Sequence, residues 1–215
     1  LLDRLFGTRV RVAAADQLST VLAEEVEQLK EEGYKPFTGL SGMLSRIAYI
    51  QCALEIATQC QTKGITLGHI VIGSGGNSLA GLVAGFTLLG HSPHFLGTPQ
   101  SKMSQTDGSS GRIAEAAAEA AVHIGLACAA DPARIAVIDT YVGTGFGYLD
   151  QATLDTIRLL AASEGILVDP TYSGKGFTCL IDQLRQGRFT ESEDIVFVHT
   201  GVTPLLFAYG EELLI

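Results

Sequence analysis

The stretch His69–Gly85, HIVIGSGGNSLAGLVAG, constrains the fold of this chain more than any other. It begins with the apolar run Ile70–Ile72, which is typical of a buried strand, and continues with the small residues Gly73–Gly76. From Asn77 onward, apolar residues recur at helical spacing. This order predicts a strand, a glycine loop and a helix, a geometry that points backbone N–H groups and the positive end of a helix at one anion. An ordinary tight turn between a strand and a helix is the alternative at this point.

The loop lacks the features of two common nucleotide-binding loops. A P-loop ends in Gly-Lys-Ser/Thr, but the sequence has no lysine between Lys63 and Lys102. A dinucleotide-binding loop has a third glycine where Ser78 stands and an acidic residue about 20 positions further on. The corresponding region, Ser92–Met103, contains no Asp or Glu. Two candidate ligands of this loop remain, a small phosphorylated cofactor and a substrate that carries a phosphate.

Composition argues against several classes of partner. The 215 residues are 47% hydrophobic and 17% charged, which indicates a folded chain with a large core. The formal net charge of −9 argues against nucleic acid and anionic membranes, and the apolar runs are too short to span a bilayer. Four cysteines without CxxC spacing predict reduced thiols and a cytoplasmic location. His91 and His94 have no third ligand close in sequence, so no metal site is predicted.

Strands alternate with helices along much of the chain. In addition to Ile70–Ile72, strands are predicted at Thr8–Ala14, Pro93–Gly97, Arg134–Asp139 and Asp194–His199. This alternation predicts an α/β fold, a three-layer parallel sheet with helices on both faces.

Ligands of such sheets bind beyond the carboxyl ends of the strands. The segment Pro170–Lys175 is predicted to be a loop, and Gly176–Gln186 the helix that follows it. Four loops should therefore converge on one site: Gly73–Asn77, Thr140–Gly147, Asp169–Lys175 and His199–Thr203.

Two sequence blocks in the second half of the chain are its most distinctive segments. They are LLAASEGILVDPTYSGKGFTCLID at Leu159–Asp182 and IVFVHTGVTPLLFAY at Ile195–Tyr209. Together with LLDRLFG at Leu1–Gly7 and YIQCALEIATQC at Tyr49–Cys60, they resemble D-cysteine desulfhydrase and 1-aminocyclopropane-1-carboxylate deaminase, over nearly the whole chain. That family has the fold of the tryptophan synthase β subunit (fold type II) and uses pyridoxal 5'-phosphate (PLP). The resemblance implies a homodimeric lyase or deaminase that releases ammonia and a 2-oxo acid from a small amino acid.

The resemblance also implies roles for individual residues. Tyr172 matches a tyrosine beside the cofactor and substrate, and Ser173 a neighbouring hydroxyl or acidic position, which makes these two the candidate catalytic residues. Thr200 would lie near the pyridine nitrogen, where a hydroxyl gives that nitrogen no strong reason to protonate. A buried loop tyrosine with a structural role is the alternative for Tyr172. The PLP phosphate would be held by the backbone of Gly73, Ser74, Gly75, Gly76, Asn77 and Ser78.

Several positions depart from the family pattern. The family's first third carries the lysine that binds PLP covalently, in a GGNK-type stretch, and a QSNH-type stretch against the cofactor; neither occurs here. Covalent attachment of PLP is therefore not expected in this chain, and Lys175 is interpreted as an ion-pairing loop residue. Four side chains differ from the family pattern: Leu40 and Val202 stand where the family has glycine, Asn77 where it usually has threonine, and Phe146 where it has a second active-site tyrosine. The alternative is that the chain is a truncated, degenerate, non-catalytic homologue, which retains at most phosphate or ligand binding.

The first residues already have a helical apolar pattern, which predicts that an N-terminal part is absent. On that interpretation, residues 1–33 are the C-terminal remnant of a small domain. Residues 34–215 are then a large PLP-binding domain that is incomplete.

Overall fold

The structure, a computed structural model, describes residues 2–14, 16–38, 42–102 and 109–213. The chain divides into two compact units, Leu1–Ser41 and Gly42–Ile215. This division falls later than the boundary at residue 33 that the sequence suggested. The assignment of the first unit to a small domain stays a prediction.

The first unit contains two helices, α1 (Leu2–Leu5) and α2 (Leu18–Glu31). The prediction of a strand at Thr8–Ala14 is wrong, because this segment has no regular secondary structure in the described residues. A strand needs a partner to satisfy its backbone, and the four described strands all lie in the second unit. The alternating arginines instead bind helix α2, since Arg9 and Arg11 both form ion pairs with Glu25.

The second unit is built on one parallel sheet. Its strands are β1 (Leu67–Ile72), β2 (His94–Gly97), β3 (Ile135–Val137) and β4 (Asp194–Val198), in the order β3-β2-β1-β4. All three pairings are parallel, and Ile72 is the register partner of both Gly97 and Val198. The carboxyl ends of β1, β2 and β4 therefore lie side by side. The four strands that the sequence predicted here, and their parallel arrangement, are confirmed.

Helices cover both faces of this sheet. Ile70 and Ile72 share a core with three helices on one face, whereas Val71 packs with Cys179 and Leu180 on the other. The predicted three-layer α/β fold is confirmed. Within the described ranges, no helix is both long and apolar enough to cross a membrane. The helices are α3 (Gly42–Lys63), α4 (Asn77–Leu88) and α5 (Ser109–His123) on the first face, α6 (Gln151–Glu164) and α7 (Ser173–Arg185) on the second, and the short α8 (Gly210–Leu213).

Helices α3 and α4 are in backbone contact. A Cβ atom at Gly81 would overlap the carbonyl oxygen of Arg46, and one at Gly85 would lie 2.5 Å from the Cβ atom of Ala53. The two glycines let α4 lie directly on α3, and this packing fixes where α4 begins. The glycine loop ends at that first turn.

Candidate functional site

The carbonyl side of the glycine loop faces the protein. The carbonyl of Gly73 accepts a hydrogen bond from Nε2 of Gln100 at 2.7 Å. The carbonyl of Ser74 lies against Gly97, where an added Cβ atom would be 2.5 Å from that oxygen. These contacts fix the orientation of the loop relative to β2.

The start of α4 has open space beside it, and the N–H group of Gly76 donates to Oγ of Ser74 at 3.3 Å. Gly76 occupies the N-cap position of α4 without a side-chain capping bond, and no heavy atom of the other described residues lies within 4 Å of a Cβ atom built there. Helix geometry leaves the N–H groups of Asn77 and Ser78 without intrahelical acceptors. A set of N–H donors at the positive end of a helix, next to open space, fits a phosphate group.

The side chain of Asn77 is held at its amide oxygen by helix α3. Nε of Arg46 donates to Oδ1 of Asn77 at 2.9 Å, and the same guanidinium forms an ion pair with Glu119 at 2.7 Å. The backbone N–H group of Asn77 is one of the donors at the start of α4. Arg46 was missed by sequence reasoning, because a contact across 31 residues has no local signal.

A buried carboxylate organises the segment that carries Tyr172 and Ser173. Asp169 is fully buried and accepts hydrogen bonds from the N–H groups of Thr171, Tyr172 and Ser173 at 2.7–2.8 Å. Asp169 orders the turn before α7, and the helix begins at Ser173, so the predicted loop through Lys175 and helix start at Gly176 are wrong by about one turn. An aspartate shortly before a helical pattern is the signal that could have located this turn.

The hydroxyl of Ser173 is committed to the same carboxylate. It donates to Oδ1 of Asp169 at 2.6 Å and accepts from the N–H group of Asp169 at 3.1 Å, and Ser173 is 1% exposed. These bonds give Ser173 a structural role at the start of α7. A catalytic role for Ser173 stays a prediction.

The backbone of Tyr172 lies next to the glycine loop. A Cβ atom at Gly73 would overlap the carbonyl oxygen of Tyr172, and one at Gly176 would lie 2.8 Å from Cα of Gly73. The ring of Tyr172 packs edge-to-face with Phe146, with centroids 5.9 Å apart. Its hydroxyl makes no hydrogen bond with the described part of the chain, which leaves it available to a ligand.

Thr200 is at the same edge of the sheet. It follows β4, whose last residue pairs with Ile72 of β1, so Thr200 and Gly73 extend from neighbouring strand ends. The loop is fixed by His199, which donates from Nε2 to the carbonyl of Leu167 at 2.8 Å and accepts at Nδ1 from Gly201. The contact of Thr200 with a pyridine nitrogen stays a prediction.

Val202 in this loop has a left-handed backbone, with φ of +64°. Val202 is the one non-glycine residue with positive φ in the described chain, and a β-branched side chain is strained there. The conformation suits the glycine that the family has at this position. Leu40, the other residue that replaces a family glycine, lies outside the described residues.

The interpretation of Lys175 as an ion-pairing loop residue is wrong. Lys175 lies in α7, is 1% exposed, and donates from Nζ to the carbonyls of Val142 at 2.6 Å and Gly145 at 3.2 Å. Burial lowers its pKa, and the nearby carboxylate of Asp150 partly offsets that effect. The sequence shows no sign of this burial, because both acceptors are distant backbone groups.

Comparisons with known proteins agree over nearly the whole chain. The profile of a family described as "Pyridoxal-phosphate dependent enzyme" matches residues 1–201. D-cysteine desulfhydrases of Yersinia pestis (strain Pestoides F) and Klebsiella pneumoniae (strain 342) are 32% and 35% identical to 99% of this chain. The chain spans 64% of the length of these curated relatives.

Solved structures give the same result. A crystal structure described as an ACC deaminase homologue superimposes with a TM-score of 0.80 at 31% identity, over 99% of this chain and 64% of that one. A hydrogen sulfide-producing enzyme from Fusobacterium nucleatum gives a TM-score of 0.55 at 18% identity, over 93% of this chain and 64% of that one. The second likeness concerns the fold alone.

Proposed function

The chain belongs to the family of pyridoxal-phosphate dependent enzymes, and we propose that it forms the phosphate-binding part of a lyase or deaminase. Its fold is the fold type II of that family, as the sequence predicted. The proposed reaction releases ammonia and a 2-oxo acid from a small amino acid, with D-cysteine as the first substrate to test. The observation that carries this proposal is the set of N–H groups without intrahelical acceptors at the start of α4, next to the segment of Tyr172, whose hydroxyl has no hydrogen-bond partner among the described residues.

The described residues support distinct parts of this chemistry. The N–H groups at Gly75–Ser78 would bind the phosphate and so orient the cofactor, which supplies the electron-withdrawing ring when it is bound. The hydroxyl of Tyr172 is suited to hold or move a proton at a substrate atom, and Phe146 packs edge-to-face against its ring. The hydroxyl of Thr200 would lie at the ring nitrogen.

Phosphate binding can be tested directly. Inorganic phosphate is titrated into the whole chain while backbone amide signals are recorded by NMR. The signals of Gly75 and Gly76 should shift in a saturable way, whereas that of Gly111, in α5, should stay in place. A silent loop, with shifts at distant amides only, would overturn the proposal.

We propose further that PLP binds this chain without a covalent bond. The amine of Lys175 already donates to two carbonyls in a buried place, so it is not free to attack an aldehyde. After PLP is added, borohydride reduction and peptide mapping should recover none of the five lysines in modified form. One modified lysine, Lys175 above all, would contradict this.

A non-catalytic, ligand-binding homologue is the second candidate, favoured by Phe146. This side chain lies on Tyr172 and has no hydroxyl able to act as an acid or base. Ammonia release from D-cysteine distinguishes the two candidates, since a phosphate response without ammonia release supports the second. The homodimer and the cytoplasmic location belong to the first candidate, and sedimentation of the chain tests the dimer.

A further inference from the structure

Lys175 joins the two segments that bring Phe146 and Tyr172 together. Its own helix, α7, begins next to Tyr172, and its Nζ atom donates to the carbonyls of Val142 and Gly145. The segment Gly143–Tyr148, here called the Phe146 loop, begins directly after Val142 and contains Gly145. The buried amine thus connects the first turn of α7 with the base of that loop.

A buried ammonium is stable only when it is hydrogen-bonded, and its bonds to carbonyls are stronger than neutral ones. Asp150 is the charged group that acts on Lys175 among the described residues, and it also caps α6 by accepting from the N–H group of Thr153 at 2.8 Å. A Cβ atom at Gly143 would be 3.0 Å from Oδ2 of Asp150 and 4.0 Å from Nζ of Lys175. The glycine, with φ of +67°, allows both charged groups to approach the loop.

Few other contacts hold the Phe146 loop. The hydroxyl of Tyr209 donates to the carbonyl of Gly147, and the N–H group of Tyr148 donates to the carbonyl of Gly145 at a long 3.4 Å. Three of its six residues are glycines, and Phe146 itself is mostly exposed. Without the amine, the carbonyls of Val142 and Gly145 would lose their donor, and little packing of the loop would replace these two hydrogen bonds.

We propose that Lys175 is a positioning residue, which fixes the Phe146 loop to α7 and so keeps Phe146 against Tyr172 beside the glycine loop. Its importance for catalysis rests on the proposed function. The anchoring of the loop does not, since it follows from the contacts of this chain alone.

The first test compares Lys175→Met with Lys63→Met, which removes an exposed lysine from the end of α3. In Lys175→Met, the amide of Tyr148, which donates to the carbonyl of Gly145, should exchange with solvent at least about tenfold faster than in Lys63→Met. The nuclear Overhauser contact between the Phe146 and Tyr172 rings should also weaken. Equal exchange rates in the two variants would overturn the proposal.

A second test does not depend on the folding of Lys175→Met. The Cε signal of Lys175 and the ring signals of Phe146 are followed by NMR as the pH of the wild-type chain is raised. If the ammonium holds the loop, both signals should change with one midpoint, below the ordinary lysine value of 10.5, because burial lowers this pKa. Phe146 ring signals that stay constant while the Lys175 signal changes with pH would contradict the proposal.

Asp150→Asn sharpens this second test. Asparagine still caps α6, but it no longer favours the charged amine, so the shared midpoint should move to lower pH. A residue that only fills space would show no coupled shift. If the amides of Gly75 and Gly76 do not respond to phosphate while these results hold, only the proposed function is contradicted. If phosphate binds but substitution of Lys175 leaves the Phe146 loop unchanged, only the positioning role of Lys175 is contradicted.

Discussion

At the scale of single residues, Asp169 decides where helix α7 starts. Its carboxylate accepts three backbone N–H groups and the hydroxyl of Ser173, all within a buried segment. Each of those donors would otherwise be buried without a partner, which is costly. Because Tyr172 is one of the three residues that donate a backbone N–H group, the same carboxylate also fixes the candidate catalytic tyrosine.

We therefore expect Asp169→Ala to lower the free energy of unfolding by about 2–4 kcal/mol, since several buried donors lose their acceptor. Ser173→Ala leaves the three N–H bonds in place and should cost only about 1 kcal/mol. Urea denaturation of both variants measures the difference. Equal losses would mean that Asp169 is not the centre of this network.

Val202 allows the opposite change. Its left-handed backbone costs a non-glycine residue roughly 1–2 kcal/mol, which exceeds the entropy that glycine adds to the unfolded chain. Val202→Gly should therefore raise the free energy of unfolding by up to about 1 kcal/mol. Val198→Gly, in strand β4, is the control and should destabilise the chain. A loss of stability in Val202→Gly would show that the side chain has a packing role.

At the scale of elements, the contact between α3 and α4 depends on two glycines inside a helix. A glycine within a helix is less favourable than alanine by about 1 kcal/mol, so a reason for keeping it must be found in the packing. That reason is the backbone of α3, which leaves no space for a side chain at Gly81 or Gly85. The position of the N-terminal turn of α4, and with it the N–H groups proposed to bind phosphate, follows from this contact.

Alanine at Gly81 or Gly85 should therefore destabilise the chain by about 1–3 kcal/mol, because overpacking outweighs the better helix propensity. Gly111→Ala in α5 is the matched control, since no heavy atom of the described residues lies within 4 Å of a Cβ atom there. It should be neutral or stabilising by up to about 1 kcal/mol. Thermal unfolding of the three variants checks the order, and a stabilising Gly81→Ala would refute it.

At the scale of the whole molecule, the two units differ in how much they bury. Helix α2 of the first unit has no buried residue, whereas in α4 the eight residues Leu79–Phe86 are all buried. A segment of about 40 residues is at the lower limit for a stable core of its own. Amides of α2 should exchange in hydrogen–deuterium experiments much earlier than those of α4. Protection of α2 that equals that of α4 would contradict this difference.

The sequence was informative where the structure depends on local patterns. The strands β1, β2, β3 and β4 were predictable as apolar runs followed by loop residues, and the glycine loop as the segment between a strand and a helix. The alternating pattern at Thr8–Ala14 wrongly predicted a strand, because a strand also needs a partner strand, which a local pattern cannot reveal.

The candidate site was predictable only in part, for the same reason. The place of Tyr172 beside Gly73 follows from parallel topology, which brings the loops after the strands to one edge. The partners of Lys175 and Asn77 come from Val142, Gly145 and Arg46, whose proximity is a property of the assembled fold. The start of α7 was missed because its glycines favoured a loop, whereas the hydrogen bonds of buried Asp169 to the turn before α7 override that preference.

The attachment of the glycine loop to the central strand has a consequence for the thermodynamics of binding. β1 pairs with β2 on one side and β4 on the other, and the loop carbonyls of Gly73 and Ser74 are held against the β2 side. If an anion binds there as proposed, it meets donors that are already in place, and little backbone entropy is lost on binding. The free energy of each N–H contact would then contribute to affinity and would not be offset by ordering of the loop, even for a ligand as small as inorganic phosphate.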